Sequence, residues 1–132
     1  MKALKYTALG IGAAFAIIMI GSNTANPTAG DATGFVERKV SSMMKDPDSV
    51  KFERVKFYPD EKPQGKEISG TVCGYVNAKN SFGAYTGFVR FISNITVKNN
   101  GRNAEFSQPS IEIPDNPISV GGIDESWSKL CK

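Results

Sequence analysis

Alternation dominates the middle of the chain. Cys73, Tyr75 and Asn77 alternate with Val72, Gly74 and Val76, and further on Tyr85, Gly87, Val89 and Phe91 alternate with Thr86, Phe88, Arg90 and Ile92. A period of two is the signature of β-strands. The intervening Lys79-Asn80-Ser81-Phe82-Gly83 predicts a hairpin whose loop is longer than the two-residue kind. Gly83 is suited to a positive φ, and Asn80 to an Asx-type turn. Gly70, Gly74 and Gly87 inside strand patterns mark bulges, bends or a close approach by another element.

Upstream the spacing becomes helical. Val36, Val40, Met43 and Met44 fall at i, i+4, i+7 and i+8, with Phe35 beside them and Glu37, Arg38, Ser41, Ser42 and Lys45 opposite. This predicts an amphipathic helix whose stripe, Met pair included, fills a core. Asp31 or Thr33 is its expected cap, after a linker over residues 26–33. The helix should end near Lys45, because Asp46 precedes Pro47 and resists the α region. Asp46 then caps a short further turn with Pro47 at its first position, and Phe52 drops onto the core.

Val55 and Phe57 alternate with Arg54, Lys56 and Tyr58, predicting an edge strand that lysine protects from further pairing. Glu67 to Val76 is the next strand, after a Pro- and Gly-bearing connection. Past the hairpin, Ser93-Asn94 is expected to break or bend the strand before Ile95-Thr96-Val97. Asn100-Gly101 signals a turn, and Ala104 to Phe106 a short return strand. Pro109, Pro114, Pro117 and Gly121-Gly122 argue against a long helix, leaving Ile111, Ile113, Ile118 and Val120 to tuck in singly. Asp124 reads as the N-cap of a short terminal helix with Trp127 and Leu130 or Cys131 on one face. These elements make an α+β domain over residues 34–132. Its N-terminal helix packs across an antiparallel sheet of three to five strands, and one sheet face is free to stay wet.

The N-terminus changes the picture of where this domain works. Lys2 and Lys5 precede an uncharged run from Tyr6 to Ala29 with an apolar centre at Ala8 to Ile20. Residues 1–25 therefore read as a signal peptide or an N-terminal membrane anchor; the run is short against the roughly 20 apolar residues of a comfortable span. No clean small-x-small cleavage site is present, since Asn23 stands at minus three to Ala25. Either reading exports the remainder, to the periplasm or beyond, with membrane contact only through an uncleaved N-terminus.

The net charge of +3 falls to +1 without Lys2 and Lys5, because 14 basic and 13 acidic residues remain. Interspersed charge of this kind gives no support to nucleic-acid binding. Cys73 and Cys131 are the two cysteines of the chain. In an exported protein they form one disulfide, closing a loop of about 57 residues worth roughly 4 kcal/mol in the chain-entropy model. The alternative is a pair of buried free thiols.

Lys45-Asp-Pro-Asp-Ser-Val-Lys-Phe52, Val72-Cys-Gly-Tyr-Val-Asn-Ala-Lys-Asn-Ser-Phe-Gly-Ala-Tyr-Thr-Gly-Phe88, Phe91, Trp127 and Cys131 together resemble a class of small exported bacterial and phage-associated proteins of unassigned function. The resemblance spans most of residues 35–92. It implies a helix end at the first motif, a hairpin with a fixed polar loop at the second, and export. Tyr75 departs from the pattern, which carries a more acidic or polar residue after Cys-Gly. No activity comes with the resemblance.

The chain has no histidine. His-based triads and histidine-bearing zinc sites are excluded, and two separated cysteines cannot build a four-thiolate site. Neither a phosphate-binding P-loop nor a dinucleotide fingerprint occurs. Asp46 and Asp48 have no third carboxylate nearby and read as capping residues rather than metal ligands. No metal or cofactor is expected.

The candidate partner-binding residues are Asn77, Lys79, Asn80, Ser81, Phe82, Tyr85 and Thr86, with Arg90 as an added anion contact. They gather amides, hydroxyls, an amine and aromatic area around a turn. The competing reading has Asn80 and Ser81 holding the loop while Phe82 and Tyr85 cover the sheet end. The expected function is a non-enzymatic exported interaction domain acting at the bacterial envelope through a partner protein. The alternatives are a small-ligand binder or inhibitor with a pocket between helix and sheet, and a structural envelope protein.

Overall fold

The computed structural model describes residues 26–62, 65–112 and 117–132, and of residues 117–122 the backbone alone. The leader reading of residues 1–25 and the tucking of Ile113, Ile118 and Val120 therefore fall outside what is described. The elements run α1 (Ala29–Met43), the 3-10 turn η1 (Pro47–Ser49), β1 (Lys51–Pro59), β2 (Ile68–Asn77), β3 (Val89–Lys98), the 3-10 turn η2 (Asn99–Gly101), β4 (Asn103–Phe106), β5 (Ser110–Ile111) and α2 (Pro117–Leu130). Strands β1 to β4 lie side by side in chain order, all antiparallel, and β5 adds to β3 beyond β4. The fold is α+β, with α1 against one sheet face and α2 tied to the other by the Cys73–Cys131 disulfide.

Helix α1 starts inside the segment expected to be linker. Its N-cap is Thr28, rather than Asp31 or Thr33. The Thr28 hydroxyl accepts the Asp31 N–H at 3.2 Å, and the Asp31 carboxylate accepts the Thr28 N–H at 2.8 Å. This reciprocal capping box satisfies two otherwise orphaned donors and offsets the helix cost of Gly30 and Gly34. The earlier start adds Ala32 to the stripe, so Ala32, Val36 and Val40 are all fully buried, with Phe35 and Met44 packed around them. The helix stops at Met43. In the following turn Asp46 caps through its backbone carbonyl, which accepts the Ser49 N–H at 3.1 Å and hydroxyl at 2.8 Å; its carboxylate makes no capping bond.

Strand β2 is buried on both faces. Ile68, Val72 and Val76 meet α1 together with Phe57, Phe91, Ile95 and Val97. Gly74 pairs with Phe91 across the sheet, and a Cβ there would come within 2.8 Å of the Phe91 ring and 2.9 Å of Val55. The missing side chain is the seat of that ring. On the opposite face Ser69 and Thr96 share a hydrogen bond of 2.8 Å, Thr71 donates to Asn94 at 3.0 Å, and Cys73 and Ile92 lie under Ile123, Trp127 and Cys131.

Two sequence expectations fail here. Strand β3 continues through Ser93-Asn94, because these residues pair with Val72 and Thr71 and the Asn94 amide is matched by the Thr71 hydroxyl. Helix α2 begins at Pro117 and runs through Gly121-Gly122, so Asp124 lies inside it instead of capping it. Proline is tolerated at a first helical position. The glycine cost is met by docking: Ile123, Trp127 and Cys131, spaced by four, pack on the sheet, whereas Leu130 stays 41% exposed.

Gly74→Ala is expected to destabilise the domain by about 1–3 kcal/mol, since the fully buried Phe91 ring has no free space to enter. Urea denaturation should show a lower midpoint with an unchanged slope.

Candidate functional site

The second hairpin strand begins at Val89, four residues later than the Tyr85 start that alternation suggested, and Ala78 to Phe88 form a long loop. The backbone groups that would extend the ladder are used within the loop. Lys79 and Tyr85 form an isolated bridge, and the Gly87 N–H donates to the Asn77 side chain at 3.2 Å.

At the tip the Asn80 N–H donates to the Ala84 carbonyl at 2.9 Å and the Gly83 N–H to the Asn80 carbonyl at 3.0 Å. The Asn80 side-chain oxygen accepts the Phe82 N–H at 2.9 Å and the Ala84 N–H at 3.1 Å. Gly83 takes the positive φ of 79° that the turn requires. This is the expected Asx-type turn, with one asparagine serving two amides.

The loop is also fastened to the body. Ser49 of η1 accepts the Lys79 N–H through its hydroxyl at 2.8 Å, and its carbonyl accepts the Tyr85 hydroxyl at 2.7 Å. The ammonium of Lys51 lies 4.4 Å from the centre of the Tyr85 ring and that of Lys79 5.8 Å. Ser49 and Lys51 were not among the sequence candidates. The Tyr85–Ser49 contact joins positions 36 residues apart, beyond the reach of any local period.

The candidates therefore divide. Asn77, Lys79, Asn80 and Tyr85 hold the loop's shape, while Ser81, Phe82 and Thr86 face solvent. Phe82 is 94% exposed at the tip, and Phe88, which sequence reasoning did not single out, is 39% exposed. Phe82 does not cover the sheet end.

Arg90 lies elsewhere, on the α2 face. Its Nε donates to Glu112 at 2.9 Å, and its terminal nitrogen bonds Glu112 and, at 2.5 Å, Asp124. Trp127 stands below it, edge-on to Tyr75. The Glu112 hydrogen bond, outweighing the opposing effect of burial, raises the Arg90 pKa above its usual value, with Asp124 adding to the rise. Arg90 thus fastens α2 and the β5 end together. On α1, partial burial raises the Glu37 carboxyl above the ordinary carboxylate value, against a smaller opposing pull from Arg38.

The seam between α1 and the sheet is filled by Ala32, Val36, Val40, Val72, Val76 and Phe91, all fully buried. Open grooves lie at the β1–β2 turn, about 620 Å³ and ringed by Asp60, Glu61, Lys62, Lys66 and Glu67, and along the outer side of α1, about 470 Å³ and bordered by Arg38, Ser41, Pro47 and Phe52. Among the described residues, no group of three or more acidic or cysteine side chains is placed to hold a metal, and no helix is long and apolar enough to cross a membrane. No family model, curated protein or solved structure matches the chain.

Asn80→Ala and Tyr85→Phe each remove hydrogen bonds that shape the loop without touching the core. Each is expected to lower stability by about 1 kcal/mol in chemical denaturation, with native far-UV circular dichroism retained.

Proposed function

We propose that the protein is a non-enzymatic exported interaction domain that works at the bacterial envelope by presenting the β2–β3 loop to a partner protein. The observation that carries this reading is Phe82, 94% exposed on a turn braced by Asn80 and docked on Ser49. A solvated phenylalanine gives nothing to the stability of its own domain. As an interface anchor it offers large apolar area, and a turn already held in shape loses little entropy on binding.

The compartment reading rests on the charged and apolar N-terminal pattern together with the Cys73–Cys131 bond, since such bonds persist in oxidising compartments. A small-ligand site between α1 and the sheet draws no support from a seam so completely filled.

Phe82→Ser should leave stability within about 0.5 kcal/mol of the parent and remove partner capture in crosslinking from envelope fractions. Equal capture by parent and variant contradicts the reading. Intact mass of protein recovered from fractionated cells tests the compartment separately. The expected species is envelope-associated and gains 2 Da on reduction, roughly the mass of two hydrogens for one disulfide. A cytoplasmic species with two free thiols contradicts export.

A further inference from the structure

The outer edge of the sheet beside the loop carries a row of cations. Lys51, Arg54 and Lys56 follow one another along β1, and Lys79 stands at the loop base. Each lies over a tyrosine: Lys51 and Lys79 on Tyr85, Arg54 on Tyr75 at 4.5 Å, Lys56 on Tyr58 at 5.2 Å. None of the four makes an ion pair among the described residues, although carboxylates hold Arg90, Lys98 and Lys129 elsewhere. Spread singly along the sequence, these charges gave no sign of a patch; the edge strand and the returning loop bring them together.

The β1–β2 register shifts between Glu53 and Lys56, and Arg54 sits in the bulge with φ 48°, a left-handed conformation that a non-glycine residue seldom adopts. Bulges re-aim side chains, and this one sets the Arg54 guanidinium over the Tyr75 ring. The bulge and the lysines also make β1 a poor template for an added strand, so a partner must meet this edge through side chains.

We infer that the partner protein of the preceding section offers an acidic face, with carboxylates opposite Lys51, Arg54, Lys56 and Lys79 and an apolar socket for Phe82. This rests on the proposed interaction role of the loop and adds the chemistry of what binds there. Charge complementarity picks the occupant, and Glu53 decides its class. Glu53 is exposed in the middle of the cation row. A uniformly negative bilayer or polyanion repels it, whereas a protein face can set a cation or a donor against that one position.

The test places a photo-reactive phenylalanine at position 82 of the disulfide-bonded protein and crosslinks it in envelope extract at about 0.05 M and about 0.3 M salt, either side of a Debye length of roughly 10 Å. Four backgrounds are compared: parent, Lys51→Glu with Lys56→Glu, Lys79→Glu, and Arg54→Gln. The expected adduct maps to a segment rich in Asp and Glu. Its yield drops at least about tenfold in the Lys51/Lys56 pair and at high salt, with smaller losses in the two single variants.

Unchanged yield in every charge variant overturns the acidic face while leaving the Phe82 contact standing. No position-82 adduct in any background overturns both. Vesicles with 30 mol% phosphatidylglycerol, and heparin, serve as separate probes. Binding of either by the parent at about 0.15 M salt, lost in the Lys51/Lys56 pair, assigns the edge to a general polyanion surface and overturns the proposal.

Discussion

Phe91 lies where Gly74 has no side chain, and much of the domain follows from that fit. The ring is fully buried, meets Phe52 edge-on at 5.7 Å and lies in the cluster that α1 closes. A larger residue at position 74 would collide with the ring and with Val55, inside the cluster that α1 closes. An interior packed as tightly as an organic crystal has no slack to absorb such a collision. The glycine that weakens β2 as an isolated strand is therefore what seats the Phe91 ring on the sheet.

The two faces of β2 are held by different means. Apolar burial under α1 holds one. On the other, the polar ladder of Ser69, Thr71, Asn94 and Thr96 gives way at Cys73 to a small cluster under α2, closed by a disulfide and by the Arg90 bonds to Glu112 and Asp124. A helix of modest length containing Gly121-Gly122 is marginal alone. The covalent link confines it near the sheet, and Trp127 then makes specific contact with Tyr75 and Arg90. Neither of these means reaches the β2–β3 loop, whose shape depends on Asn80 and Ser49.

What was legible in the sequence was whatever depended on local period or local turn chemistry. The α1 stripe, the edge position of β1, the Asn100-Gly101 turn and the Asn80–Gly83 turn all follow from neighbours within a few residues. The Cys73–Cys131 disulfide was one of two readings of the cysteine pair, the one that an oxidising compartment favours. The misses came where distant partners override local preference. Ser93-Asn94 looked like a break until Thr71 and Val72 supplied its pairing, and Gly121-Gly122 looked like a helix end until the sheet supplied a docking face. Thr28 was missed as a cap because Gly30 and Gly34 gave the stretch the look of a linker, although the Thr28-x-x-Asp31 spacing was there to be read. Proximity in sequence puts Arg90 with the loop, but strand alternation sends it to the α2 face. The cation row could not be read at all, because it depends on a bulge and on a loop returning to η1.

The proposed role of the loop requires that it hold its shape without a partner. Phe82 sits on a turn whose amides are satisfied by Asn80 and whose base is fixed through Lys79 and Tyr85 to Ser49. Backbone amide order parameters for residues 79–85 of the free, disulfide-bonded protein test that claim most directly. Values near those of β2 and β3, about 0.85, are predicted; values below about 0.6 at Phe82 and Ala84 would contradict it, leaving an exposed phenylalanine on a flexible loop with no preset binding geometry.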